Sequence, residues 1–134
     1  MSKDWVKDIN EMQSKYGVHE WVQSADKDKL RHYLAFRVDF LREELDETEA
    51  AMVNMDAEEI VDGLIDLCVV AIGTLDAFGV DPYKAWDEVL KANMNKRVGV
   101  KEGRPNPLGL PDLMKPEDWK APSHEGNYGK LHDI

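Results

Sequence analysis

Apolar residues recur along the first hundred positions at helical rather than strand spacing, and no segment alternates with period two. Trp5, Val6, Ile9 and Met12 form one stripe, which predicts a short helix over Asp4 to Lys15, closed by Gly17. His19 to Ser24 carries no clear stripe and reads as a connection. Leu30, Leu34, Phe40, Leu41 and Leu45 predict a long helix from Asp26 to Asn54. Asp56, with Glu59 three residues on, resembles a capping box and opens the next helix, which runs to Phe78 and stops at Gly79. Asp81-Pro82 places an N-cap before a first-turn proline and starts a fourth helix, continuing to about Arg97 and halted by Gly99. The expected fold is all-α: an antiparallel bundle of about four helices over residues 1–99. Residues 100–134 follow as an irregular Pro/Gly-rich tail, packed on that domain or on a neighbouring subunit.

The remaining residues narrow the class. A chain of 134 residues is the size of one compact domain. Its single cysteine, Cys68, excludes an internal disulfide framework and lies in the apolar run Leu67 to Leu75, where a core role is expected. No signal-like N-terminus and no membrane-length apolar run occur, so a soluble, cytoplasmic protein is expected. The formal net charge is −10, from 17 basic and 27 acidic residues, which argues against binding nucleic acid through a basic field.

That charge is uneven. No Lys or Arg occurs from Glu43 to Tyr83, while ten acidic residues lie between Glu43 and Asp66. Glu44 and Glu47 are three apart and share a helix face; Glu59, Asp62 and Asp66 share a face of the next helix. The short link predicts antiparallel packing, with Glu44 and Glu47 opposite Asp62 and Asp66. Carboxylates gathered so closely must either bind protons or be neutralised by cations. An all-oxygen set selects Mg²⁺ or Mn²⁺, the usual partners of phosphate substrates. A solvated, salt-bridged face would need local cations, and a di-iron bundle needs Glu-x-x-His pairs; the stretch has neither. Basic residues return at Asn93-Met94-Asn95-Lys96-Arg97, where they suit either phosphate oxygens or the helix C-terminal dipole, with Lys101 and Arg104 as weaker candidates. His19, His32, His124 and His132 are scattered and read as structural or solvent-exposed.

Glu43-Glu44-x-x-Glu47, Asp62-Gly63-Leu64-Ile65-Asp66, Gly79-Val80-Asp81 and Asn93-x-x-Lys96 together resemble the all-α NTP pyrophosphohydrolase superfamily, in its MazG-like and phosphoribosyl-ATP pyrophosphohydrolase-like, phage-type branch. The resemblance spans about Arg37 to Arg97, with an echo in Met12 to Val18. One departure matters: with Asp66 in the family's Asp position, the family's Glu position falls on Gly63, which cannot ligate, while a literal Glu-x-x-Asp stands one turn earlier at Glu59 and Asp62, so either Glu59 or Asp66 is the essential ligand of this helix.

The resemblance implies a (d)NTP cut to (d)NMP and pyrophosphate, with a purine deoxynucleotide favoured. It implies two or three Mg²⁺ (or Mn²⁺) ions held by Glu44, Glu47, Asp62 and Asp66, with Glu59 at the rim. Water activated by the metal would attack the α-phosphorus, aided by a carboxylate such as Glu47. Asn93, Lys96 and Arg97 would bind substrate, and the chain would assemble as a homodimer or homotetramer. Two alternatives are a phosphoribosyl-ATP pyrophosphohydrolase and a non-catalytic acidic helical binding protein.

Overall fold

The computed structural model describes residues 3–103 and 106–134; Arg104 lies outside them. Five α-helices follow one another: α1 (Trp5–Lys15), α2 (Val18–Ser24), α3 (Lys27–Val53), α4 (Ala57–Ala77) and α5 (Pro82–Met94). Two three-residue strands, β1 (Arg97–Gly99) and β2 (Asp112–Met114), and a 3₁₀ turn at Gly129–Asp133 complete the chain. By contacts it divides into two compact units. Unit 1 comprises Met1–Pro82 with Tyr128–Ile134, and unit 2 comprises Tyr83–Asn127. Neither boundary falls near residue 99. No single helix among the described residues is long and apolar enough to cross a membrane.

Unit 1 is built from α1 to α4. Asp4, Asp26 and Asp56 cap α1, α3 and α4, each accepting a hydrogen bond from the backbone N–H three residues on. The expected connection over His19 to Ser24 is instead the helix α2. Gly17, at φ 75°, is both the left-handed stop of α1 and the residue that opens α2. One left-handed residue thus turns the chain without a linker, and seven residues are too few to display a periodic stripe. The buried face of α1 is also narrower than its apolar stripe suggests. Ile9 and Gln13 are buried, whereas Trp5 and Met12 stay exposed.

Helices α3 and α4 pack closely along most of their length. The α3 residues turned inward are Leu30, Leu34, Arg37, Leu41, Glu44, Thr48 and Ala51, which step alternately by four and three. On α4 the fully buried residues Gly63, Val70, Gly73 and Ala77 are small, so the backbones approach. A Cβ on Gly63 would fall on Thr48 Oγ1, and one on Gly73 would lie 2.8 Å from an Arg37 guanidinium nitrogen. Arg37 donates to Thr74 Oγ1 and to the Val70 carbonyl, both at 3.0 Å. Contacts at Thr48–Gly63 and Arg37–Thr74 run in opposite chain directions, so the pair is antiparallel. At the far end Val22, Leu30, Ala77 and the fully enclosed Phe78 form the core, joined by Tyr33, Leu131 and Ile134. The C-terminal turn docks there, with the Lys130 N–H bonded to the Phe78 carbonyl at 2.7 Å.

Unit 2 departs from expectation in two ways. Helix α5 ends at Met94 rather than near Arg97, and β1 then pairs antiparallel with β2, Arg97 opposite Met114. Trp119 Nε1 donates to the Ala92 carbonyl at 2.7 Å, satisfying a group of the last helical turn. Gly99 faces Met114 so closely that a Cβ would lie 2.7 Å from its Cγ. Both features depend on residues about twenty positions downstream.

One polar cluster fastens α1 and α2 to α4. The Asp76 carboxylate, 7% exposed, accepts from Asn10 Nδ2 at 2.7 Å, Gln13 Nε2 at 2.6 Å and His19 Nε2 at 2.6 Å. Burial by itself would push its pKa up, but the hydrogen bonds from Asn10, His19 and Gln13, with the nearby His19 charge, together hold it below the ordinary value. A carboxylate with a depressed folded pKa stabilises the fold above its unfolded pKa of about 3.9, and the contribution is lost as pH falls through the folded value. Asp76→Asn is therefore expected to cost about 1–3 kcal/mol at pH 7, since it removes a charge-assisted acceptor from the buried Gln13 and from His19 and Asn10. Urea denaturation should show this gap shrinking below about pH 4; an equal gap at pH 7 and pH 3 would contradict the assignment.

Candidate active site

The long acidic face resolves into residues of distinct placement. Glu44 lies in the α3–α4 seam itself, on the same row as Leu41 and Thr48, where an apolar side chain is the ordinary occupant. Asp66 of α4 is half-buried opposite it, while Glu47, Asp62 and Glu59 are exposed. Burial raises the Glu44 pKa, and the close approach of Asp66, with the Glu47 and Asp62 charges, raises it further. Asp66, Glu47 and Asp62 thus lie near enough to Glu44 for their charges to act on it. Glu59, one turn nearer the start of α4, is not among the groups that act on Glu44.

Two further observations define the chemistry of this cluster. Glu44 Oε2 is buried with no hydrogen-bond partner, an arrangement that costs free energy unless a proton or a cation is supplied. Among the described residues no set of three acidic, His or Cys side chains converges closely enough to form a finished ligand cage. The donors are all carboxylate oxygens, with no thiolate or imidazole among them. An orphaned buried oxygen within an all-oxygen, mutually repelling set fits a hard divalent cation.

The Gly63 departure has a structural reason. Thr48 occupies the space a Gly63 side chain would need, and its Oγ1 donates back to the Glu44 carbonyl at 2.7 Å. A glutamate at 63 is therefore incompatible with this helix approach.

The groups expected to bind phosphate belong to unit 2. Asn93 is exposed on the last turn of α5 and Arg97 is exposed on β1. Lys96 is half-buried, its Nζ 5.5 Å from the centre of the Trp119 ring. Lys101 lies beyond β1, its N–H bonded to Asp112. Of the histidines, His19 serves the Asp76 cluster and His132 stacks on Tyr128 at 5.8 Å. Cys68 is half-buried and free. Sequence reasoning passed over Asp76, Asn10 and Gln13, since three polar residues on separate helices carry no local spacing signal.

An antiparallel helix pair with a carboxylate from each partner in its seam marks an all-α hydrolase as the class to test. The family model for phosphoribosyl-ATP pyrophosphohydrolase matches residues 20–93, more than half of the chain. The chain belongs to this family, within the all-α MazG-like NTP pyrophosphohydrolase superfamily, and so to the pyrophosphohydrolases, which act on phosphoric anhydrides. No curated protein matches the chain. The matched segment covers α3, α4 and nearly all of α5, and it includes all five candidate carboxylates.

Gly63→Ala tests the packing beside the carboxylates. Alanine favours a helix over glycine by about 1 kcal/mol, but the added methyl displaces the Thr48 hydroxyl, at a cost of about 1–3 kcal/mol. The single variant is expected to lose stability in urea denaturation. Thr48→Ala combined with Gly63→Ala should recover most of that loss. Additive effects in the double-mutant cycle would show that the two residues do not press on each other.

Proposed function

We propose that this protein hydrolyses a (d)NTP to (d)NMP and pyrophosphate, using Mg²⁺ or Mn²⁺ held by Glu44, Glu47, Asp62 and Asp66. The observation that carries the reading is the buried, unpartnered Glu44 oxygen in the helix seam, facing Asp66. Bound cations would neutralise the carboxylates, polarise the phosphate chain and make a water more acidic. Glu44 and Asp66, both recessed in the seam, would hold the cations, with the exposed Glu47 and Asp62 beside them, and the Glu47 carboxylate would take the proton of the attacking water. The water oxygen bonds to the α-phosphorus, and the α–β bridging oxygen leaves with pyrophosphate. Glu59 is left to a peripheral ion. A purine deoxynucleotide is the substrate to try first, with phosphoribosyl-ATP, the substrate in the family's own name, beside it. For unit 2 we retain a phosphate-binding role at Asn93, Lys96 and Arg97.

Product chromatography with a panel of (d)NTPs and Mg²⁺ or Mn²⁺ should give monophosphate and pyrophosphate. Release of diphosphate with orthophosphate would overturn the reading, and turnover of phosphoribosyl-ATP alone would replace the substrate. No turnover at all would favour an acidic binding protein. Asp66→Asn, Asp62→Asn and Glu44→Gln should each lower turnover on the order of a hundredfold or more. Glu59→Gln should stay within about tenfold of the parent. A direct readout of the metal is thermal unfolding: Mg²⁺ should raise Tm for the parent but not for Glu44→Gln, whose metal-free Tm should equal or exceed the parent's.

We also propose that a second copy covers the exposed apolar residues beside the carboxylates. Leu45 at 57%, Val61 at 63% and Leu64 at 51% exposure flank Glu44 and Asp62 in sequence, and isolated apolar residues would not accumulate there by chance. A homodimer or homotetramer is expected by light scattering, and Leu64→Lys should shift it toward monomer with loss of turnover. An active monomeric parent would refute this.

A further inference from the structure

Unit 2 contains a cavity of about 540 Å³ between the end of α5 and residues 116–123, most of it beyond the matched segment. Lys91, Arg97 and Lys120 line it with Asn95, Ser123 and Trp119. Glu88 and Asp118 line it too, yet neither forms an ion pair with any of the three cations. In a chain of net charge −10, three cations on one cavity, none of them ion-paired among the described residues, are unexpected.

A second observation concerns the indole. Trp119 is fixed by its hydrogen bond to the Ala92 carbonyl, and two ammonium groups are held over its ring. Lys115 Nζ lies 4.9 Å and Lys96 Nζ 5.5 Å from the centre. The ring's negative face attracts each lysine, but the two charges repel each other. The β1–β2 ladder adds Arg97, paired with Met114 next to Lys115. Lys91, Arg97 and Lys120 line the cavity and Lys96 and Lys115 sit over the ring of its Trp119, so five cations stand against the two carboxylates Glu88 and Asp118, and a multiply charged anion would offset the excess.

We propose that this cavity is a binding site for a polyphosphate group, two or more linked phosphates carried by free pyrophosphate or by a nucleoside triphosphate. Arg97 supplies a forked donor to two phosphate oxygens, while Lys91 and Lys120 act as point charges. Asn95 and Ser123 add neutral donors. The volume lies within the range of small-ligand pockets and exceeds the needs of a single phosphate. The inference rests on the phosphate-substrate reading above only for the source of the anion.

Calorimetry in EDTA removes any binding that runs through a divalent cation. Inorganic pyrophosphate, dATP and dAMP are titrated into the full chain and into Arg97→Ala, Lys120→Ala and Asp66→Asn. Pyrophosphate is expected to bind, and its Kd to rise about tenfold in Arg97→Ala and in Lys120→Ala, the loss of one charge-assisted contact each. Asp66→Asn should bind as the parent does, and dAMP should bind about tenfold more weakly than pyrophosphate, having one phosphate. Competition of dATP for the same heat identifies a triphosphate chain as an occupant; lack of competition assigns the site to free pyrophosphate. No pyrophosphate binding by the parent, or equal affinity in Arg97→Ala and Lys120→Ala, overturns the proposal. The outcomes separate from those of the catalytic reading. Turnover with no binding in EDTA removes this site alone, and binding without turnover of any nucleotide removes the catalytic reading alone.

Discussion

Helices α3 and α4 touch through small residues, and the consequences reach most of unit 1. Gly63 and Gly73 leave no side chain between the backbones, so Thr48, Arg37 and Gln13 fill the space directly. That approach fixes the register of the pair. It brings Glu44 level with Asp66, and Arg37 level with Val70 and Thr74. A larger residue at Gly63 would force the helices apart beside the carboxylates, and the burial that perturbs Glu44 would be lost.

The same closeness explains why the carboxylate cluster costs stability. A glutamate in the seam sits where the alternating three- and four-residue step calls for an apolar side chain. Burial and three neighbouring acids all disfavour its charge. Stabilisation has to come from elsewhere in the unit. It comes from the aromatic run Trp21–Tyr33–Phe78, with ring centres 5.3 and 5.8 Å apart, and from the C-terminal turn seated on Phe78. The Asp76 cluster adds a polar clamp at that end. A well-packed end thus offsets a middle of mutually repelling carboxylates.

Unit 2 follows another logic. Its helix stops where a distant tryptophan takes the Ala92 carbonyl, and its short ladder joins segments separated by a Pro/Gly-rich stretch. Little apolar surface is buried; of its residues Ala92 belongs to the fully buried apolar set. Fixed hydrogen bonds and stacked cations, rather than a core, give it shape.

Much of unit 1 was legible in the sequence. The caps at Asp4, Asp26 and Asp56, the stops at Gly17 and Gly79 and the helical spacing of apolar residues depend on neighbours within a few positions, so α1, α3 and α4 could be placed by local rules alone. The helical spacing of Glu44 and Asp66 and a short link were enough to predict that these two carboxylates lie across the helix pair from each other. Tertiary structure decided the rest. Helix α2 was too short to show a period. The early end of α5 and the two strands required partners well down the chain, Trp119 for Ala92 and Met114 for Arg97. The seam position of Glu44, the pressure of Thr48 on Gly63 and the convergence of Asn10, Gln13 and His19 on Asp76 are distances between helices. Local periodicity fixes which way a side chain leaves its own helix; what it meets depends on how closely the next helix is allowed to come.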